Sequence, residues 1–124
     1  MPDLPQHEED WEGVDTFVQL VIGAYVAVGE VLNDLQTPIH VPVGEWSAEV
    51  AVMAMHDAYA ALLGQPISPK LMALCRAMVV EWLTAYEMGP LIALLGDAPW
   101  RIVAAMAALA RMASCIRAIE SELS

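Results

Sequence analysis

The chain has 124 residues, which is the length of a single domain, and 16 acidic against 5 basic residues give it a net charge of −11. So few lysines and arginines argue against nucleic acid as a direct ligand, because phosphates would go unneutralised. The apolar fraction is 58%, or about 64% with the seven glycines, against roughly 45–50% in typical soluble domains. The excess predicts a surface that other protein must cover.

The first predicted segment is an N-terminal tail. Residues 1–13 contain two prolines and five acids, and they contain no lysine or arginine. We expect residues 1–13 to be an acidic, partly flexible tail and residues 14–124 to be one helical domain. Because a secretory signal begins with basic residues, the sequence favours a cytoplasmic location.

The first predicted helix covers residues 14–35. Its polar residues fall within about a third of the helix circumference, so the pattern predicts an amphipathic helix with a broad apolar face. Asp15 or Thr16 is the expected N-cap, and Thr16 with Gln19 fits a capping box. The uncharged stretch Thr16–Gly29 is too short for a bilayer, which needs about 20 apolar residues. We therefore expect no membrane span.

An extended connection and a second helix come next. Residues 36–45 contain Pro38, Pro42 and a glycine, and each proline disfavours helix at the residue before it. The second helix is expected to begin after Ser47 as N-cap. It should end at Leu63, with Gly64 in the left-handed conformation that closes many helices.

Two more helices complete the predicted domain. The third starts at Ser68-Pro69 and runs to about Met88, where Gly89-Pro90 ends or kinks it before a short helical piece. Asp97 and Pro99 begin the last helix, which should reach Glu122. Its many alanines predict that it lies at the centre of the packing, since small residues let helices approach closely. The sequence thus predicts an all-α bundle of four main helices.

Carboxylates are the first candidates for chemistry. Helical bundles hold di-metal centres with inward Glu and His residues, typically as Glu-x-x-His, and that pattern does not occur in this sequence. Glu30 and Asp34 share the polar stripe of the first helix, and Glu81 and Glu87 that of the third. Because buried carboxylates without partners are costly, we expect a solvated face, with no metal and no cofactor.

His56-Asp57 is the second candidate. Glu49, Met53 and His56 fall on one face of the second helix, so a carboxylate can lie near an imidazole that acts as a general base. No serine or cysteine is placed as a nucleophile beside it. A small helical-bundle enzyme or metal-binding protein using Glu49, His56 and Asp57 is therefore the alternative function, and His40 in the connection is a weaker candidate.

The sulfur-containing residues are expected in the core. Cys75 lies in the middle of an apolar helical face, which predicts a buried and unreactive thiol, whereas Cys115 is more exposed. Most helical methionines should fill the core, and the remainder would form an adaptable surface.

These features favour a non-catalytic protein–protein interaction module, such as an adaptor, an assembly factor or an inhibitor. The apolar excess predicts a homodimer or higher oligomer that buries about 1,600 Å² or more. The acidic surface predicts a second protein with a basic surface as a partner. The expected partner-binding carboxylates are Glu30, Asp34, Glu45, Glu49 and Asp57.

Overall fold

The computed structural model describes the backbone of residues 8–95 and 99–124, and the side chains of residues 16–92, 94 and 100–124. The helices are α1 (Glu8–Asn33), α2 (Ala48–Leu62), α3 (Pro69–Leu95) and α4 (Pro99–Leu123). No strand occurs within the described residues. The prediction of an all-α bundle of four helices with an extended connection after the first is confirmed.

Helix α1 begins at Glu8, earlier than the sequence pattern predicts. Thr16 therefore lies well inside the helix, and the predicted capping box of Thr16 and Gln19 is wrong. The reason lies in the acids at the start of the chain. Four of the five residues from Glu8 to Glu12 are acidic, and negative charge in the first turns is favoured by the positive end of the helix dipole.

The connection between α1 and α2 runs back along α1. The Ile39 N–H donates a hydrogen bond of 3.0 Å to the Leu32 carbonyl, and the Tyr25 hydroxyl donates one of 2.7 Å to the Pro42 carbonyl. Because the contact on α1 moves toward the N-terminus as the connection advances, the two segments are antiparallel. The connection thus returns the chain to the middle of α1 before α2 begins.

The N-terminal end of α2 matches the prediction, and its C-terminal end does not. Ser47 is the N-cap, and its hydroxyl accepts the Val50 N–H at 3.4 Å. At the other end Gly64 does not adopt the left-handed conformation, so that prediction is wrong. The Leu63 and Gly64 N–H groups instead donate to carbonyls three residues earlier, and this tight turn satisfies the final carbonyls without a positive φ.

Helix α3 continues past Gly89-Pro90, where the sequence predicts either an end or a kink. Ser68 accepts the Leu71 N–H at 3.1 Å and starts the helix as predicted, but the helix then passes Pro90 and ends at Leu95. Tertiary packing outweighs the hydrogen bond that Pro90 cannot make, because the ring of Phe17 packs on Gly89 and Ile92 is buried beyond it. The last helix begins at Pro99 as expected, while Asp97 lies outside the described residues.

The central helix is α3, which packs against α1, α2 and α4. Helix α4 lies antiparallel to α3 along its whole length, as ion pairs of 2.7 Å from Lys70 to Glu122 and from Arg111 to Glu81 show. The prediction that α4 is sandwiched at the centre is therefore wrong. Its small residues do permit a close approach, but only on the side that faces α3.

An aromatic cluster joins α1, α3 and the connection. The indole N–H of fully buried Trp82 donates to the Val21 carbonyl at 3.0 Å. Its ring stacks on Tyr86 at 5.5 Å and lies against Tyr25 at 5.7 Å, and Tyr25 meets Trp46 edge to face at 5.7 Å. The side chains of three segments are thereby fixed to one another.

Substituting two glycines of α1 by alanine tests the path of the connection. A Cβ on Gly23 would meet no atom within 4 Å, whereas a Cβ on Gly29 would lie 2.7 Å from a methyl group of Val41. We expect Gly23→Ala to raise the free energy of unfolding by about 1 kcal/mol through helix propensity. Gly29→Ala should lower it despite the same gain, because overpacking costs about 1–3 kcal/mol.

Urea unfolding at one protein concentration measures both changes. Adding Val41→Ala to Gly29→Ala should recover the loss. If Gly29→Ala stabilised the protein as much as Gly23→Ala, the connection would not lie where the structure places it.

Candidate interaction surfaces

Helix α4 presents an apolar surface to solvent on the side away from α3. This surface, the α4 outer face, consists of exposed and half-buried residues: Ile102, Val103, Met106, Ala110 and Ala113. Val103 is 66% exposed and Met106 is 42% exposed. The opposite side of α4 is buried against the bundle, so the first half of the helix is apolar nearly all round. A helix of that kind is normally covered on every side.

No charged side chain interrupts the α4 outer face between Ile102 and Ala113. Arg111, the one charged residue in that interval, turns toward α3 and pairs with Glu81. The next charged residue on the outer side is Arg117, whose guanidinium donates to Ser114 at 3.0 Å. The uncharged surface therefore extends over about three helical turns.

The five basic residues of the chain all lie on α3 and α4. Lys70 and Arg111 form the two ion pairs of the described residues. Arg76 donates to the Tyr59 hydroxyl and lies 4.5 Å from the centre of that ring, and Arg101 lies 4.7 Å from the Trp100 ring. None of these cations pairs with a described carboxylate of α1, the connection or α2.

The carboxylates expected to bind a partner are all exposed: Glu30, Asp34, Glu45, Glu49 and Asp57. They follow one another along α1, the connection and α2. Neither ion pair of the described residues involves them. This part of the molecule therefore carries uncompensated negative charge. Glu81 differs from the predicted solvated face, because its side chain is only 20% exposed and pairs with Arg111.

The weak catalytic candidates are not assembled into a site. Glu49, His56 and Asp57 are each exposed on the outer side of α2, and no hydrogen bond among the described residues joins them. A general base needs its orienting partner within hydrogen-bond distance, about 2.6–3.2 Å. Within the described residues, no group of three or more His, Cys, Asp and Glu side chains is arranged to hold a metal ion.

A shallow groove of about 370 Å³ lies between the connection and α2. Its walls are mostly apolar, and its two titratable residues are His40 and Asp57. The sequence gives no sign that His40 and Asp57 are neighbours, because only the path of the connection along α1 brings both residues to the same groove. They form no ion pair with each other.

The thiols are placed as predicted. Cys75 is fully buried, and burial raises the pKa of its thiol from the ordinary value of 9.0 to about 11. Cys115 is half-buried and its pKa is also raised, first by burial and then by the negative charge of Glu81. Raised pKa values keep both sulfurs in the unreactive thiol form at neutral pH.

The methionines divide between core and surface. Met55, Met78 and Met112 are buried in the core, whereas Met53 on α2 and Met106 on α4 are exposed. The adaptable surface expected from the sequence is thus limited to a few positions, one of which lies on the α4 outer face.

Within the part of the chain that the structure describes, two helical segments are long and apolar enough to cross a membrane, by length and composition alone: Thr16–Asn33 and Trp100–Leu123. Of these windows, 39% and 28% are buried inside the molecule. Core helices of soluble proteins meet the same criterion, so this is weak support for a span. The absence of a membrane span and the cytoplasmic location stay predictions.

No protein-family model, curated protein or solved structure matches the chain. Any functional conclusion must therefore come from the surfaces of this molecule.

The raised pKa of Cys75 predicts a pH dependence of stability. Because the folded-state pKa of about 11 exceeds the ordinary value of 9.0, burial of the neutral thiol stabilises the fold fully below about pH 9. That contribution is lost as the pH rises toward 11. In urea unfolding under reducing conditions, the advantage of the wild type over Cys75→Ala should shrink between pH 9 and 11. A constant advantage would contradict the burial of the thiol.

Proposed function

We propose that the protein is a non-catalytic interaction module that self-associates through the α4 outer face. The observation that supports this is the exposure of Val103 and Met106 on a helix whose other side is already packed on α3. Fully burying a side chain of this size contributes about 1.5–3 kcal/mol, and here much of that contribution is unused. A partner that covers the face would recover it.

The α4 outer face is a surface through which two copies of this acidic chain can meet without bringing their carboxylates together. Like-charged molecules repel, and each chain carries a charge of −11. Helix α4 contains three arginines, and its acids, Glu120 and Glu122, lie at its C-terminal end. Contact through the α4 outer face therefore brings two copies together with their uncompensated carboxylates kept apart.

Met106→Glu tests this proposal, with Met53→Glu as a matched control. Both methionines are exposed, so neither change should disturb the fold. Burying an unpaired carboxylate in an apolar interface is costly, and Met106→Glu should weaken self-association by at least about 100-fold. Sedimentation equilibrium at micromolar concentrations should show an oligomer for the wild type and for Met53→Glu.

Sedimentation of the wild type at 13.4 kDa would contradict self-association. An equal effect of both substitutions would show that α4 is not the surface involved.

We further propose that the acidic surface binds a protein with a basic surface, as an adaptor, assembly factor or inhibitor does. Support comes from Glu30, Asp34, Glu45, Glu49 and Asp57, which have no cation within ion-pair distance in the described part of the chain. Carboxylates arranged in this way steer a positively charged molecule and increase its association rate. The alternative, an enzyme or metal-binding bundle using Glu49, His56 and Asp57, has no supporting contact among the described residues.

A short polylysine peptide serves as the probe of the acidic surface. Its affinity should fall from about 0.1 M to about 1 M salt, where the Debye length shrinks from about 10 Å to about 3 Å. Replacing Glu30 and Asp34 by Gln and Asn should slow association in surface plasmon resonance, whereas Glu120→Gln on α4 should not. If the affinity did not depend on salt, the carboxylates would contribute to solubility only and not to binding.

A further inference from the structure

We propose that the α4 outer face pairs with the same face of a second copy in an antiparallel arrangement, with Met106 of each copy against Ala110 of the other. This inference rests on the proposed self-association and specifies its geometry. It follows from the spacing, the sizes and the charges of residues on one side of α4.

The spacing of the exposed residues is that of a helix–helix seam. Val103, Met106, Ala110 and Ala113 are separated by three, four and three residues. Apolar residues with this alternation of three and four form the contact line of paired helices. In most helices such a line faces the core, but on α4 it lies opposite the buried residues Ala105, Ala108, Met112 and Ile119. The helix therefore has a second seam, which faces solvent.

Side-chain size changes along this seam. The two positions nearer the N-terminus, Val103 and Met106, are large, and the two that follow, Ala110 and Ala113, are small. In an antiparallel pair Val103 faces the partner's Ala113 and Met106 faces the partner's Ala110. Every layer then combines one large and one small residue, which fills the space between the helices evenly. A parallel pair would instead place alanine against alanine and leave gaps.

The charges favour the same direction. Arg117 lies four residues beyond Ala113 on the outer side of α4 and continues the spacing of the seam. In a parallel pair the two copies of Arg117 would be adjacent, and their like charges would repel. In the antiparallel register they lie about 27 Å apart along the axis, since each is opposite the start of the partner helix. A twofold axis that relates identical surfaces also closes the assembly as a dimer.

A lipid surface is the competing occupant of this face. The chain carries a net charge of −11, which opposes binding to anionic headgroups. A second copy carries the same negative charge, but it also offers the complementary shape and keeps the two Arg117 side chains apart, which a lipid surface does not, so the observations favour the dimer.

Engineered cysteines test the arrangement. In a Cys115→Ser background, the double variant with Met106→Cys and Ala110→Cys should form a covalent dimer under mild oxidation. Met106→Cys alone should not, because the two Met106 positions are offset by four residues, about 6 Å along the axis, which exceeds disulfide reach across a helix pair. Met53→Cys on α2 is the control for random collision. Circular dichroism should confirm that each variant keeps the wild-type helix content.

The outcomes separate this inference from the proposed function. Covalent dimers from Met106→Cys alone, as abundant as those from the double variant, would show a parallel pair and overturn the inference while self-association stands. No cross-linking in a protein that sediments as a dimer would place the interface elsewhere. A monomer that binds vesicles of phosphatidylcholine and phosphatidylglycerol would overturn both. Efficient cross-linking of the double variant alone supports the antiparallel pair.

Discussion

The position of Trp82 determines how the helices assemble. Its indole N–H lies where no water is available, so it needs an acceptor within the protein, and the Val21 carbonyl of α1 supplies it at 3.0 Å. This bond fixes the height of α1 against α3. Tyr25, one turn after Val21, then packs on the same indole and holds the connection through its hydrogen bond to Pro42. The path of the connection in turn sets the position at which α2 begins.

This arrangement leaves α4 with one main neighbour. Helix α1 covers one side of α3 and α2 covers another, so α4 packs along α3 with only a small contact to α1. The described residues, 8–95 and 99–124, contain no fifth helix that could cover the far side of α4. Part of the apolar excess of the composition therefore appears on the α4 outer face, and the rest is exposed at separate positions on α1, the connection, α2 and α3. The proposed role in self-association is a consequence of that geometry.

Local signals in the sequence predicted the helices, and longer-range contacts account for the errors. Ser47 and Ser68 start α2 and α3 as expected, because a cap acts on an N–H group only three residues away. Whether α3 ends or only kinks at Gly89-Pro90 was left open by the sequence, because the contact of Phe17 with Gly89 joins residues far apart in the chain. The path of the connection depends likewise on Tyr25, seventeen residues from Pro42.

For the candidate surfaces too, local features can be predicted from the sequence, and features that depend on contacts between distant segments cannot. That the last helix is apolar on several sides can be read from its residues, but which side faces solvent depends on the placement of α3. The exposure of Glu30 and Asp34 was predicted correctly because charge alone disfavours burial, whereas the partial burial of Glu81 depends on Arg111 of another helix. The exposure of Met106 was not predicted, since methionine is common both in cores and in adaptable surfaces.

The central claim is that a second copy covers the α4 outer face, and the oxidation of methionine in the unmodified protein tests it most directly. Met53 is 64% exposed and Met106 is 42% exposed in the single chain, so peroxide should reach both in dilute solution. Peptide mass spectrometry then follows each sulfoxide as the protein concentration is raised. The account predicts that Met106 becomes protected while Met53 continues to oxidise at its original rate. Oxidation of Met106 at the same rate at every concentration, up to hundreds of micromolar, would contradict it.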